Sequence, residues 1–207
     1  TDHDESDATA PTDSNSATNT VAENAAVAAT VGVTALSADA DGSTNTITYS
    51  VSDQSCTSLF GVDSSTGVVS VAATTNLDYE TATSCTVEIT ATSADLSTAA
   101  TTFTVAVTDV NDESPSDMAL SAASAAENAA AGTDIGTLST TDGDASGNSH
   151  VYTLVTDSGG ATAYSGTDFA LDSAVLEVGS SPSFDYETTT SYTVYVKVAD
   201  GSNTAYV

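Results

Sequence analysis

Asp109-Val110-Asn111-Asp112-Glu113-Ser114-Pro115 lies almost midway along a chain of 207 residues, and its reading decides the rest. Three side chains that offer oxygen, Asp109, Asn111 and Asp112, fall within four positions, and a proline then ends the run. On one side stands Thr102-Phe103-Thr104-Val105-Ala106-Val107-Thr108, where apolar residues recur at every second position as in a half-buried strand. On the other side a second copy of the first half of the chain begins. The stretch reads as an acidic hinge between two β-sandwich domains.

The repeats carry that division. Val21-Ala22-Glu23-Asn24-Ala25-Ala26 returns as Ala125-Ala126-Glu127-Asn128-Ala129-Ala130. Asp39-Ala40-Asp41 with Asn45 returns as Asp142-Gly143-Asp144 with Asn148. Phe60-Gly61-Val62-Asp63 returns as Phe169-Ala170-Leu171-Asp172, and Leu77-Asp78-Tyr79-Glu80 as Phe184-Asp185-Tyr186-Glu187. Even the polar opening, Thr1-Asp2-His3-Asp4-Glu5-Ser6, matches the hinge from Thr108 with one residue missing. Two homologous units result, at 1–107 and 108–207. Within them, 1–20 reads as a linker from a preceding repeat with a polar first-strand region, 21–107 as domain one, 108–115 as the linker and 116–207 as domain two. If Val207 were followed by another Thr1-Asp2 the strand register would be kept, so the 207 residues read as one excised period of a longer array.

Between the landmarks the pattern has period two. Ile47, Tyr49 and Val51 alternate with Thr48, Ser50 and Ser52; Cys85, Val87, Ile89 and Ala91 with Thr86, Glu88, Thr90 and Thr92; Tyr192, Val194, Val196 and Val198 repeat it in unit two. One dry and one wet face per strand, with turns rich in Gly, Asp and Ser, predicts an all-β fold of antiparallel sandwiches. No helical period of useful length is present.

Composition bounds the function. Apolar residues make up 40% of the chain and aromatics 6%, without Trp, which suits small β-rich cores. Against 29 acidic residues stands one basic residue, Lys197, for a net charge of −28. Such a chain repels nucleic acid and anionic membranes. No apolar run approaches the ~20 residues of a membrane span. The charge has two readings, a salt-adapted surface or a set of metal ligands. Position decides: the acidic motifs fall at turns and strand ends, and each occurs in both units. Ca²⁺ takes six to eight hard oxygens, more than any one of these segments supplies, so several must meet.

With these motifs in this order, the chain resembles cadherin repeats over its whole length. The resemblance implies two tandem cadherin-like, immunoglobulin-like Greek-key sandwiches with Ca²⁺ at the junctions. For the central junction it implies Glu23, Asp78 and Glu80, the linker's Asp109, Asn111 and Asp112, then Asp142, Asp144, Asn148 and Asp200. The family's second linker Asn is Glu113 here. For a junction with a further copy it implies Glu127, Asp185 and Glu187, a linker containing Asp2, Asp4 and Glu5, and Asp39, Asp41 and Asn45. That set has Ser93 where unit two has Asp200, with Asp95 nearby, and is expected to hold fewer or weaker ions.

Cys56 and Cys85 are expected to form a disulfide within domain one, the alternative being two free buried thiols. The bridge would add about 3–4 kcal/mol by chain entropy and suggests an oxidising, extracellular or cell-surface setting. His3 and His150 have no nucleophile or base motif beside them, and His150 aligns with Ile47 at a strand start. The paired acids at 78/80 and 185/187 suit a glycosidase poorly, since no aromatic-lined sugar cleft accompanies them. The chain therefore reads as non-enzymatic: a calcium-stiffened repeat of a long extracellular fibre or stalk, partnered by further copies of itself. The alternative is an adhesion module that binds a partner on another cell surface.

Overall fold

A computed structural model describes residues 6–40, 45–72, 77–146, 149–201 and 203–206. Asp2, His3, Asp4, Glu5, Asp41 and Asn148 lie outside them. The chain divides into two compact units, Thr1–Val110 and Asn111–Val207. The described residues are all β, without helix.

Unit one has eight strands: β1 (Thr12–Asp13), β2 (Thr20–Ala22), β3 (Thr30–Leu36), β4 (Ile47–Gln54), β5 (Phe60–Val62), β6 (Val68–Val71), β7 (Ser84–Ser93) and β8 (Thr98–Thr108). They form two four-stranded sheets, ordered β1-β3-β6-β5 and β2-β8-β7-β4. All pairs are antiparallel except β2 with β8. The expected alternation is realised: Cys85, Val87, Ile89 and Ala91 on β7 and Phe103, Val105 and Val107 on β8 are buried. They meet Val31, Val33, Val69 and Val71 in one core. Thr104 and Ala106 between them on β8 face water, as a period of two requires. In β4 a bulge between Val51 and Asp53 shifts the register, and Gln54 then bonds the backbone of Phe60 in both directions, N–H to Oε1 at 2.8 Å and Nε2–H to the carbonyl at 3.3 Å.

The polar opening belongs to this sandwich from residue 6 onward. Ala8 and Pro11 are buried, Thr9 N–H donates to the Ala38 carbonyl at 2.9 Å, and β1 pairs with the end of β3. The β5–β6 turn is held by Asp63, which accepts from the backbone N–H of Ser65 and Thr66 and from the Thr66 hydroxyl. Gly67 closes the turn at φ +71°, and a Cβ there would run into the Ala35 carbonyl.

The disulfide joins Cys56 to Cys85. Cys85 sits in the core at the start of β7, and Cys56 lies in the loop between β4 and β5, so the bridge fixes a loop to the sheet.

Unit two has β9 (Ser116–Leu120), β10 (Asp134–Thr141), β11 (Val151–Val155), β12 (Phe169–Asp172), β13 (Val175–Val178), β14 (Tyr195–Ala199) and β15 (Thr204–Tyr206). One sheet is ordered β12-β13-β10-β9 and the other β11-β14-β15. Ile135, Leu176 and Val178 centre a smaller core. Two expectations change here. Val196 and Val198 are buried on β14, but Tyr192 and Val194 precede the strand and carry no pairing. The register of the last strand also differs. Lys197 faces Tyr206 on the third pair after the turn, where unit one has Thr90 facing Ala100. Tyr206 is therefore level with Ala100, not with Ala106. The shared residue types (Ala, Val, Thr) hid that offset in the sequence.

Replacing both cysteines, C56A/C85A, is expected to lower the unfolding free energy of unit one by about 3–4 kcal/mol in urea and to leave unit two's transition in place. An unmoved first transition would show that the sheets already fix the loop.

Candidate metal centres

Three groups of carboxylates converge among the described residues, each with oxygens within 4.8 Å of one another: Glu23, Glu80 and Asp109; Glu127, Asp185 and Glu187; Asp142, Asp144 and Asp200. The first lies within unit one, the other two within unit two.

Glu23 follows β2 directly and is 4% exposed. Both its oxygens are engaged, Oε2 by the N–H of Tyr79 at 2.7 Å and Oε1 by the N–H of Val110 at 2.6 Å. This one side chain ties the Asp78-Tyr79-Glu80 turn and the hinge to the end of β2, and Glu80 and Asp109 meet beside it. Asp78 stands outside the group. Its carboxylate accepts from the Thr81 hydroxyl at 2.8 Å and the Thr81 N–H at 3.0 Å, which hold it below the usual carboxylate range.

Unit two repeats the arrangement in a more open form. Glu127 Oε2 accepts from Tyr186 N–H at 3.0 Å, and Asp185 caps Thr188 as Asp78 caps Thr81. Here Asp185 does join the group.

The third group is the most enclosed. Asp142 and Asp144 follow β10, and Asp200 follows β14. Asp144 is 2% exposed and Asp200 5%. Asp144 Oδ1 lies within reach of the N–H groups of Asp112 (3.3 Å) and Glu113 (3.4 Å), and Asn111 donates to the Asp200 carbonyl at 3.4 Å. Asn203 links the set, its N–H on Asp200 Oδ1 and its amide on Asn111 Oδ1, both at 3.0 Å. Burial pushes the Asp144 carboxyl up; the Asp112 and Glu113 amides offset part of this, the charge of Asp142 adds to it, and the net shift is upward. Burial also pushes Asp142 up, but His150, the Asp144 N–H and the Asp200 and Asp144 side chains outweigh it, and Asp142 is held low. His150 Nε2 lies 3.2 Å from Asp142 Oδ2. The alignment with Ile47 places His150 at a strand start, and the turn after β10 brings Asp142 to it. Asp200 Oδ2 is buried and finds no hydrogen-bond donor among the described residues.

Asp39, the counterpart of Asp142, accepts a short hydrogen bond from the Ser93 hydroxyl at 2.5 Å. Ser93 is buried where unit two has Asp200, so a hydroxyl stands in for a carboxylate. Asn45 is exposed. Asp95 Oδ1 accepts from Ser97 N–H at 2.7 Å in the β7–β8 turn.

Two β-sandwich units with acids gathered at strand ends define a tandem repeat protein of immunoglobulin-like fold. Residues 17–108, a little under half the chain, match the family model for the Cadherin domain. No curated protein sequence matches the chain. Similar solved structures include the protocadherin GammaB4 extracellular domain, at TM-score 0.66 and 22% identity over 100% of this chain and 32% of that one. Mouse cadherin-23 EC22-24 is similar at TM-score 0.66 and 23% identity, over 100% of this chain and 63% of that one. Protocadherin Gamma B2 extracellular cadherin domains 1-5 give 0.62 and 21%, over 100% and 39%. At these identities the likeness is one of fold, and the chain spans about a third of the first of them. Residues 17–108 thus resemble a Cadherin domain, and the chain as a whole shares the fold of the extracellular cadherin structures.

Glu23→Ala leaves two amide donors without their carboxylate and is expected to destabilise unit one by about 2–4 kcal/mol in chelator, measured by urea unfolding. Thr81→Val is expected to raise the Asp78 carboxyl toward its ordinary 3.8 in a carbon-detected NMR titration. Since Asp78 is held low when folded, the stability it contributes is present above 3.8 and lost as pH falls through its folded value, so the variant should lose less on acidification.

Proposed function

We propose that the carboxylate groups hold Ca²⁺, and that the chain is a calcium-stiffened, non-catalytic structural repeat acting outside the cell. The observation that carries this reading is the enclosed group Asp142, Asp144 and Asp200. Burying three carboxylates costs several kcal/mol each unless a cation or donors compensate. The chain has one basic residue, and Asp200 Oδ2 is buried without a donor among the described residues. Carboxylate, amide and carbonyl oxygens are the donor set that Ca²⁺ takes, and no Cys joins them, which argues against a thiophilic metal. The residues fit the ion.

In this reading Glu23, Glu80 and Asp109 hold an ion in unit one, with Asp78 near by. Asp142, Asp144 and Asp200 hold one in unit two, with Asn111, Asp112 and Asn148 as further oxygen donors. Glu127, Asp185 and Glu187 form a third site, completed by a further copy whose linker supplies Asp2 and Asp4 and whose first unit supplies Asp39, Asp41 and Asn45. Asp109 and Asn111 stand two positions apart in the chain. Ions in the first two groups therefore order 109–113, and metal binding and ordering become one equilibrium. The Cys56–Cys85 disulfide agrees with an oxidising location. Stiffening by ions suits a fibre or stalk built from further copies; an adhesive module would show a partner surface as well.

The test is thermal unfolding in excess Ca²⁺, in chelator and in Mg²⁺, with amide exchange at Val110, Asp112 and Glu113. A calcium-specific rise in Tm with protection of those amides is expected, and Asp144→Asn should remove unit two's share of it. Equal melting in all three solutions would mean that the acids are a solvated surface. Electron microscopy of the native material should show continuous filaments; isolated surface receptors would favour the adhesive role.

A further inference from the structure

In unit two, Asp142 follows β10, in the sheet β12-β13-β10-β9, and His150 precedes β11, in the sheet β11-β14-β15. His150 Nε2 lies 3.2 Å from Asp142 Oδ2, and the contact is enclosed, with the His150 side chain 15% exposed and that of Asp142 1%. The pair therefore ties the two sheets together where the chain crosses between them. Asp142 is held low and is ionised near neutral pH. A carboxylate oxygen only accepts, so Nε2 carries the hydrogen and donates it. Oδ1 accepts the Asp144 N–H at 3.3 Å. Both oxygens of Asp142 are thus held, and the plane of its carboxylate is set from two directions.

Unit one meets the same need with other residues. Asp39, the counterpart of Asp142, accepts from the Ser93 hydroxyl. Ser93 faces Ile47 across the pairing of β4 with β7. In unit two Val151 faces Ala199, and one further step in that register sets His150 opposite Asp200. Ile47 and Ser93 of unit one are therefore replaced together, by His150 and Asp200. The two changes fit one another. Ser93 supplies the donor itself, and the residue opposite it is apolar. Asp200 as a carboxylate can only accept, and the donor comes from the residue opposite it. Asp200 Oδ2 remains buried without a donor among the described residues, so the imidazole serves Asp142 and leaves the need for a cation in place.

We propose that His150 is the positioning residue of the group formed by Asp142, Asp144 and Asp200. Its Nε2–H orients Asp142 so that the carboxylate converges with the other two, as the Ser93 hydroxyl orients Asp39 in unit one. An imidazole outside the ligand set fixes a ligand without occupying a coordination position. The identity of the ion rests on the calcium reading above; the hydrogen bond and its exchange with position 200 do not.

The test has two arms, both on the whole chain. In the first, Ca²⁺ is titrated while the amides of Asp112 and Glu113 report the group in unit two, and those of Tyr79 and Val110 report the group at Glu23. His150→Leu keeps the bulk and removes the donor. It is expected to weaken calcium binding at Asp112 and Glu113 by about tenfold to a hundredfold and to leave Tyr79 and Val110 unchanged. His150→Gln restores an N–H and is expected to recover most of the loss. Unchanged affinity in the Leu variant, or equal weakness in both variants, overturns the proposal. A wild-type chain in which no amide responds to Ca²⁺ removes the calcium reading alone, and the second arm then decides. In chelator, His150→Leu is expected to lower the Tm of unit two by about 4–8 °C. The same change made beside Asp200→Ser is expected to cost about half of that or less, because a hydroxyl at position 200 donates to Asp142 as Ser93 does to Asp39. An equal loss in both backgrounds overturns the positioning role.

Discussion

Carboxylates gathered in groups in a chain with 29 acidic residues and one Lys or Arg are the constraint on which the rest of this molecule turns. With Lys197 as the one basic residue, ion pairing cannot offset the burial of Asp144 and Asp200. What offsets it in part is backbone: the amides of Val110, Asp112 and Glu113 approach Glu23 and Asp144, so the hinge is laid down by hydrogen bonds to charged oxygens. These bonds are worth more than neutral ones, but they leave lone pairs over, and Asp200 Oδ2 is one whose burial asks for a positive partner.

The sandwich makes such gathering possible. Glu23 lies just past β2, Asp109 just past β8, Asp142 just past β10 and Asp200 just past β14. Glu23 and Asp109, far apart in sequence, are brought together because β2 and β8 run parallel and end at the same edge, while the strand interiors, alternating Val and Thr, fill the core and the wet face. The same logic explains Asp78 and Asp185, which sit in tight turns and cap a Thr three residues on. Their first task is local, and it fixes the turn that presents Glu80 and Glu187.

In unit one the central strand β8 orders the strands on both sides of it. Beside β8, β7 runs for ten residues and β2 pairs over Thr20–Ala22. A central strand gives hydrogen bonds to both sides at once, so its length is felt two strands deep. Unit one carries the larger core, with its bridge from Cys56 to Cys85, and unit two the smaller one.

The sequence by itself determined the class of fold, because period-two alternation is a local signal that survives without contacts. Cys85 to Ala91 and Phe103 to Val107 face inward as their spacing requires. Tertiary structure alone decided which acids meet. Asp78 and Asp185 look alike in sequence, yet only Asp185 joins its group, and His150 reaches Asp142 through the turn after β10. It also decided the register of β15, since Thr204-Ala205-Tyr206 resembles several stretches of β8 and only the count of residues in the turn after Asp200 fixes which one it faces. Register and side-chain convergence depend on how turns of one residue more or less place distant backbone, a quantity that alternation along a single strand does not contain.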